Sequence, residues 1–324
     1  MLDLGNDSSR PDPGRRLILK AAVPDQRKIH SGSTRRIRFV RRQNASVRLR
    51  RVRLPNGIHV AGLDLGPLRP PAGGALPPLV LLHGVGADKG EWALAAPLLA
   101  RRRRVFAPDL LGHGDTDKPS GPGIDYRIRL LADVVVSALE RLPDRPARID
   151  LLGHSLGGAV ALDLVRRHPR LVRRLVLVDS AGLPPKESID ILAASLPFAP
   201  QGFEDSRRLL ATTVASRWLG HPLVALAASA YKGRRRNRPQ LLKLLAAIAA
   251  GEDALTPRDL ARIRHTTLVL WGDRDRVFPL ATGRRLATAL PAARLEILPR
   301  CGHVPPTERP FAFVRRVAAF LDAP

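Results

Sequence analysis

The sequence has little sulfur, few aromatic rings and a shortage of acidic residues. Its 324 residues include one cysteine, Cys301, and one methionine, and aromatic residues make up 4% of the chain. A single cysteine excludes an internal disulfide and fits a reducing compartment. No apolar run approaches the roughly 20 residues that cross a bilayer, and the N-terminus lacks the apolar stretch of about 7–15 positions found in secretory signals. These absences predict a globular, cytoplasmic protein.

Positive charge is in excess, because 54 Lys and Arg residues stand against 29 Asp and Glu residues, a formal net charge of +25. Residues 1–50 hold thirteen of the basic residues and four of the acidic ones, and the remaining excess is spread along the chain. Since no nucleic-acid-binding motif accompanies it, we interpret the charge as solvated surface and predict no specific nucleic-acid partner. The run RRRR at 101–104 fits the solvated end of a helix. The run YKGRRRNR at 231–238 leaves open a peripheral contact with an anionic membrane.

The first part of the chain predicts a tail followed by a hairpin. Residues 1–46 mix Asp, Pro, Gly, Ser and Arg without periodicity, which is typical of a disordered basic tail. Two alternating segments then flank Asn56-Gly57, a dipeptide that favours a tight hairpin turn. After a Pro/Gly-rich connection, the continuously apolar LVLLHG is typical of a strand buried on both faces.

The rest of the chain alternates strands with helical lengths, which predicts an α/β fold with a mainly parallel eight-stranded sheet flanked by helices. The rhythm breaks in Leu/Ala-rich segments, so we predict a first core part at 47–183, an inserted helical cap at 184–262 and a second core part at 263–324. Five more strands are predicted from RVFAPDL at 104–110, RIDLLGHS at 148–155, RLVLVDSAG at 174–182, TTLVLWGD at 266–273 and ARLEILP at 293–299. The closing helix is expected to bury Phe311, Val314, Val317, Ala318 and Leu321, which lie at helical spacing.

The segment LLGHSLGGAV at 151–160 places Ser155 where an apolar strand ends and a helix begins near Leu156. In the pattern G-x-S-x-G, Gly153 and Gly157 remove side chains that would collide as the chain turns sharply enough to expose the serine hydroxyl. The N–H of Leu156 faces the same place and can donate to a developing oxyanion. The pattern predicts a nucleophilic serine rather than an ordinary glycine-rich loop.

A serine nucleophile needs a base that an acid holds in place. Asp275 follows one predicted strand and His303 follows the next, so Ser155, Asp275 and His303 occur in the chain order expected for such a triad. The carboxyl ends of parallel strands meet at one edge of a sheet, which would bring the three residues together. Asp273 and Asp179 are rival acids in the same group of loops.

The other histidines and the cysteine are interpreted as structural or pocket residues. His83 and His154 lie at strand-to-loop junctions beside the predicted site, and His113 lies in a GHG loop. A hydrogen-bonded role suits each better than that of a base. No H-E-x-x-H pattern or cysteine cluster is present, so we expect neither a metal nor another cofactor. Cys301 is expected to be a buried thiol.

Together these segments resemble the α/β-hydrolase fold family, most closely its serine esterase, lipase and carbon–carbon-bond hydrolase branch. The resemblance implies that the N–H of Val85, which follows His83-Gly84, is a second oxyanion donor beside Leu156. It also supports Asp275 as the acid, and it places His83, Gly84 and His154 at the pocket. Epoxide hydrolases and haloalkane dehalogenases of this fold use an aspartate at the elbow, so Ser155 argues against both. The resemblance is carried by HGVGADKGEW, VFAPDLLGHGDTDKP, LLGHSLGGAVALDL, LVLVDSAG, LVLWGDRDRVFP and CGHVPPTERP.

The sequence therefore predicts a cofactor-independent serine hydrolase of the carboxylesterase or lipase type, acting on a small-molecule ester with an apolar acyl part. Two alternatives within enzymes use the same triad, namely hydrolysis of a carbon–carbon bond beside a carbonyl and cofactor-free haloperoxidase-like activity. A third alternative is a non-catalytic, small-molecule-binding member of the fold. The sequence leaves the oligomeric state open.

Overall fold

The computed structural model describes residues 45–67, 76–121, 124–183, 212–215 and 239–323. All of them belong to one compact unit, Arg35–Pro324. Most of the tail predicted at 1–46 and the whole run at 231–238 lie outside the described residues. The first strand begins at Ala45, two residues before the predicted start of the core.

The predicted hairpin is present at the start of the sheet. Strands β1 and β2 pair antiparallel, with Val52 opposite Val60. Gly57 has a φ of +84°, a conformation that glycine adopts without steric cost. The Ile58 N–H donates to Asn56 Oδ1 at 3.2 Å and closes the turn. The dipeptide Asn56-Gly57 therefore reverses the chain as its chemistry predicts.

The sheet has eight strands in the order β1-β2-β4-β3-β5-β6-β7-β8. The pairings β1/β2 and β2/β4 are antiparallel and all the others are parallel. The predicted mainly parallel eight-stranded α/β architecture is confirmed. The strands are β1 Ala45–Arg53, β2 His59–Pro67, β3 Leu79–Leu82, β4 Val105–Pro108, β5 Ile149–His154, β6 Val172–Val178, β7 Thr267–Gly272 and β8 Ala293–Leu298.

Helices pack on both faces of the sheet. Because adjacent residues of a strand point to opposite faces, Leu79 and Leu81 join one buried apolar cluster while Val80 and Leu82 join the other. This is why β3 is apolar throughout. The helices are a 3₁₀ turn Lys89–Trp92, α1 Ala96–Leu99, α2 Ile128–Glu140, α3 Leu156–Arg167, α4 Pro257–Arg262, α5 Leu280–Ala289, α6 Pro305–Glu308 and α7 Pro310–Asp322; residues 239–249 are also helical.

The buried face of α7 differs from the predicted one. Phe311 was expected in the core, but it is 78% exposed, and Val314 and Ala318 are only half-buried. The helix instead buries Phe313, Val317, Phe320 and Leu321. The reason is a tertiary contact, because Phe313 stacks on the buried Trp92 with 6.5 Å between ring centroids. That contact sets the rotation of the helix, and the spacing of apolar residues was compatible with either face.

The arginine run 101–104 contributes buried charge as well as surface charge. Arg103 is 4% exposed, and it pairs with Asp150 and Asp322. Arg173 binds the same Asp150 carboxylate through Nε at 2.9 Å and Nη2 at 2.7 Å. The predicted solvated role is therefore wrong for Arg103. This ion network joins the amino end of β5 to the C-terminal end of α7.

Residues 212–215 and 239–262 are the described parts of the predicted cap. Residues 239–249 are helical, and α4 begins with a capping box in which Thr256 and Asp259 satisfy each other's backbone N–H groups. The cap as a domain stays a prediction. Within the described ranges, no helix is both long enough and apolar enough to cross a membrane.

Candidate active site

Ser155 stands on a strained turn between β5 and α3. Its φ is +51° and its ψ is −118°, a conformation that L-residues rarely adopt. The turn depends on two close backbone approaches. A methyl group on Gly153 would lie 2.2 Å from the Gly157 carbonyl oxygen, and one on Gly157 would lie 2.1 Å from the Leu82 carbonyl oxygen. Both positions therefore require glycine on packing grounds, and the turn raises Ser155 above the carboxyl edge of the sheet.

The structure brings Asp275 and His303 into direct contact. His303 Nδ1 lies 2.8 Å from Asp275 Oδ2, and both side chains are buried. The other carboxylate oxygen accepts hydrogen bonds from the N–H groups of Val277 at 2.7 Å and Phe278 at 3.0 Å. Burial opposes ionisation of Asp275, but His303 and these donors outweigh it and lower the pKa of Asp275. An ionised Asp275 accepts from Nδ1–H and fixes the tautomer of the ring.

The second nitrogen of His303 is available for proton transfer. Within the described residues, Nε2 is buried and has no hydrogen-bond partner. Ser155 Oγ therefore does not donate a hydrogen bond to it in this structure. The ring of His154, the residue before Ser155, lies 4.9 Å from the His303 ring between centroids. Catalytic hydrogen bonds are often long in a free enzyme and shorten when substrate binds.

The two predicted oxyanion donors are the backbone N–H groups of Val85 and Leu156. In the described part of the chain, neither the N–H of Val85 nor that of Leu156 donates to a protein acceptor. Gly84, the residue before Val85, packs closely on the elbow, because a methyl group there would lie 3.3 Å from Ser155 Cβ and 3.1 Å from His154 Nδ1. The arrangement can accept an oxygen that gains negative charge next to Ser155.

Comparison with known proteins decides the family. The sequence pattern of the alpha/beta hydrolase family matches residues 79–317. The chain belongs to the alpha/beta hydrolase family. The match confirms the resemblance seen in the sequence, and the protein is a hydrolase.

Relatives of this hydrolase have the names of different hydrolases. It is 34% identical to a 2-hydroxy-6-oxo-2,4-heptadienoate hydrolase of Pseudomonas putida, over 86% of this chain and 99% of that protein. It is also 34% identical to a pimeloyl-(acyl-carrier protein) methyl ester esterase of Aromatoleum aromaticum, over 71% of this chain and 92% of that protein. Among solved structures, a bacterial membrane phospholipase A superposes with a TM-score of 0.72 at 30% identity, covering 85% of this chain and 86% of that one.

The two rival acids have other partners in the hydrolase. Asp273 Oδ1 accepts from the Cys301 N–H at 3.1 Å. Asp179 has a φ of +41° and is fully buried, and its Oδ1 accepts from the Gly272 N–H at 2.9 Å. Burial and the neighbouring Asp275 carboxylate raise the pKa of Asp179 well above its usual range. Both effects favour the neutral form of Asp179 beside the carboxylate of Asp275.

Asp179, Asp275 and His303 also form the one set of possible metal ligands among the described residues, with ligand atoms within 4.8 Å of one another. Hydrogen bonding and protonation within this set account for the short distances between its ligand atoms. His303 donates to Asp275, and the raised pKa of Asp179 favours its neutral form, which is a poor cation ligand. The absence of a metal requirement stays a prediction.

The ring nitrogens of the two pocket histidines, His83 and His154, have different kinds of partner. His83 Nε2 accepts from the Leu110 N–H at 3.0 Å, so Nδ1 carries the proton, and it lies 2.8 Å from the Gly84 carbonyl oxygen. His83 is thus a neutral structural histidine that shapes the oxyanion loop. His154 faces Glu91 Oε1 at 2.8 Å from Nδ1 and the His303 carbonyl oxygen at 2.6 Å from Nε2. Sequence analysis placed His154 at the pocket but missed Glu91.

A described cap segment holds the histidine loop from the other side. The His303 N–H donates to the Thr213 carbonyl oxygen at 2.7 Å. Glu308 bridges the two segments, since Oε2 accepts from the Ala215 N–H at 2.9 Å and Oε1 from the Val304 N–H at 3.2 Å. Sequence analysis missed both contacts, because they pair residues about 90 positions apart and no local pattern marks them.

Cys301 is expected to resist thiol reagents while the protein is folded. Its side chain is fully buried, and burial together with nearby acidic groups raises the pKa of the thiol far above its usual range. Because the thiolate is the reactive form, a chromogenic disulfide reagent should label less than one tenth of the thiol in native protein and all of it after denaturation. Fast labelling of native protein would show that the histidine loop opens readily.

Proposed function

We propose that this hydrolase cleaves a carboxylic ester with an apolar acyl part through an acyl-enzyme intermediate on Ser155. The observation that carries the proposal is the buried Asp275–His303 hydrogen bond, which leaves His303 Nε2 without a hydrogen-bond partner among the described residues. A serine, an oriented imidazole and a carboxylate in this order form the arrangement that activates a hydroxyl.

Each residue has a defined role in the proposed reaction. Ser155 Oγ attacks the ester carbonyl carbon while His303 Nε2 takes its proton, and Asp275 stabilises the imidazolium that forms. The N–H groups of Val85 and Leu156 donate to the oxyanion of the tetrahedral intermediate. When the intermediate collapses, His303 returns the proton to the departing alcohol. Water then attacks the acyl-Ser155 ester by the same steps and releases the acid.

An apolar wall beside the site supports an apolar acyl group. Leu245, from the helical residues 239–249, packs with Val277 and with the half-buried Val85 and Phe278. Phe278 also places its ring 5.5 Å from the His303 ring. The wall thus connects a proposed oxyanion donor with the acid loop. The methyl ester esterase and phospholipase relatives cleave esters by their names, which agrees with this assignment.

A second candidate is hydrolysis of a carbon–carbon bond beside a carbonyl. The Pseudomonas putida relative is named for a 6-oxo-dienoate, a compound with a ketone and a carboxylate but no ester. Hydrolysis of such a compound breaks a bond between the carbonyl carbon and its neighbour. The same serine, histidine and oxyanion donors would serve, because an acyl group is again transferred to water.

A substrate panel distinguishes these functions. We expect kcat/KM on p-nitrophenyl esters to rise with acyl length by about fourfold for each methylene group that the apolar wall buries, since burial of one contributes about 0.8 kcal/mol. A 2-hydroxy-6-oxo-dienoate, followed by its visible absorbance, is the competing substrate. Turnover of the dienoate without any ester would establish the second candidate. No turnover of either by folded protein would leave a binding protein.

A further inference from the structure

We infer that Glu91 and His154 form a fully charged, buried pair that positions the catalytic histidine loop and the oxyanion loop. The inference rests on the proposed serine hydrolase function and adds two positioning residues to it. Neither residue belongs to the triad or to the oxyanion donors. His154 directly precedes Ser155, and Glu91 contacts Gly84, the residue before Val85.

The protonation of His154 follows from its neighbours. Nδ1 lies 2.8 Å from Glu91 Oε1 in an ion-pair contact, although neither atom has an aligned hydrogen-bond partner among the described residues, and Nε2 lies 2.6 Å from the carbonyl oxygen of His303. A carboxylate oxygen and a carbonyl oxygen are both acceptors without a proton to donate. A neutral imidazole would present a lone pair to one of them at hydrogen-bond distance, which is repulsive. Protons on both ring nitrogens remove this repulsion, and the raised pKa of His154 agrees with an imidazolium. His83 shows the contrast, because its Nε2 faces a donor.

Burial makes the partner charge necessary. The side chains of His154 and Glu91 are 4% and 6% exposed, and an isolated charge at such a site is strongly unfavourable. Burial opposes the charge of His154, yet Glu91 outweighs it and raises the pKa of His154 above its ordinary value of 6.5. Burial also opposes ionisation of Glu91, and His154 holds the pKa of Glu91 below its ordinary value of 4.5.

The pair connects three loops that end at the reacting atoms. Glu91 Oε2 accepts from the N–H of Gly84 at 3.1 Å, the residue before the proposed oxyanion donor Val85. His154 precedes Ser155 on the elbow, and its Nε2–H donates to the backbone of His303. The pair thereby sets the distance between oxyanion donor, nucleophile and base. A rotation of either side chain would shift all three.

The pair predicts a pH window for this positioning. The charged and titratable groups that face it are His83 at the end of β3, His303 after β8 and Asp275 after β7. Because the pKa of His154 is raised, its imidazolium persists below 6.5 and is lost as pH rises through the raised value. Because the pKa of Glu91 is lowered, its carboxylate persists above 4.5 and is lost as pH falls through the lowered value. The pair is intact between these two limits.

Carbon-13 NMR of histidine-labelled, full-length protein tests the charge directly. Glu91→Gln keeps the shape of the side chain and its acceptor for Gly84 N–H but removes the negative charge. In the wild type at about pH 6.5, the ordinary histidine pKa, the His154 ring should give mainly imidazolium shifts, assigned by their loss in His154→Gln. In Glu91→Gln the same ring should be neutral at that pH. A neutral His154 in the wild type below its ordinary pKa of 6.5 would overturn the charged pair.

Ester kinetics test the positioning. We expect Glu91→Gln and His154→Gln each to lower kcat by about 10–100-fold with KM changed less than about threefold, since small misplacement of reacting groups costs rate more than binding. The double variant should lose no more than the worse single one, because the two residues act as a unit. Wild-type kcat should also fall at alkaline pH in a step that His154→Gln lacks.

The control is Asp64→Asn. This substitution removes a buried carboxylate on β2 that pairs with Arg50 and Arg104. Burial raises the pKa of Asp64, but its cationic partners outweigh burial and lower it, as for Glu91. Because Asp64 lies away from the site, kcat of Asp64→Asn should stay within about twofold of the wild type. Equal kcat losses in Asp64→Asn and Glu91→Gln would overturn the positioning role. If His154→Gln does not fold, Glu91→Gln and the wild-type spectrum decide the outcome.

A fluorophosphonate separates this inference from the proposed function. Wild-type protein that fails to form a phosphonyl adduct on Ser155 and turns over no substrate would contradict the hydrolase, and the positioning role would fall with it. An active, labelled wild type whose kcat is unchanged in Glu91→Gln would contradict the positioning role alone.

Discussion

Replacing Ser155 with alanine is expected to lower kcat on the best ester by about 10⁴–10⁶-fold, the loss seen when a triad nucleophile is removed. KM should change little, because the oxyanion donors and the apolar wall remain. The variant should fold normally. Alanine and serine bear the same strain at a φ of +51°, and Ser155 Oγ makes no hydrogen bond to His303 that folding would lose.

Two further triad variants make the prediction specific. His303→Gln should lose about as much as the serine variant, whereas Asp275→Asn should lose less, about 10⁴-fold, because the acid acts through the histidine. Ser137→Ala, on the half-buried side of α2, is the matched serine control and should retain wild-type kcat. Initial rates with melting temperatures, and the mass of a fluorophosphonate adduct, check these outcomes. A Ser155→Ala variant with more than a hundredth of wild-type kcat would place the nucleophile elsewhere.

Replacing Asp150 with alanine is expected to lower the free energy of unfolding by about 3–5 kcal/mol, because removal of one partner leaves buried charge unpaired. Asp150 is fully buried and is the shared acceptor of Arg103 and Arg173. Without it, Arg103 keeps Asp322 but loses its buried partner. For a chain of this size, the loss corresponds to a melting temperature lower by about 5–10 °C.

Asp144→Ala is the matched control for this stability experiment. Asp144 also pairs with an arginine, Arg104, but its side chain is 77% exposed. Surface pairs of this kind contribute little, so its stability should stay within about 0.5 kcal/mol of the wild type. Denaturant unfolding measures both variants. A loss under about 1 kcal/mol in Asp150→Ala would mean that water or other acceptors replace the carboxylate without cost.

The two large effects should be separable. Asp150 is at the amino end of β5, and Ser155 follows its carboxyl end, so about five residues of extended chain, roughly 16 Å, lie between them. Below its melting transition, Asp150→Ala should therefore keep wild-type kcat per folded molecule. Ser155→Ala should keep wild-type stability. A variant that lost both would indicate that the ion network and the site share one cooperative change.

Local patterns were sufficient for the sheet and for the positions of the candidate residues. The eight strands were visible because apolar runs bounded by turn residues have few alternatives. The elbow was visible because G-x-S-x-G needs two glycines at contacts that the backbone makes with itself. The assignment of Ser155, Asp275 and His303 as a triad stays a prediction, although the structure pairs the last two. The predictions for Phe311 and Arg103 were wrong, because helical spacing and runs of charge do not specify which partner a side chain contacts in the fold.

By itself, the amino-acid sequence determined the order of strands and helices, the sharp turn at Ser155 and the loops that carry Asp275 and His303. Only the tertiary structure decided that Asp179 is buried beside Asp275, that Glu91 faces His154, and that Thr213 and Glu308 hold the histidine loop. The physical reason is range. Turns and strand patterns depend on residues a few positions apart, whereas protonation and ion pairing depend on burial and on charges that folding brings together from distant parts of the chain.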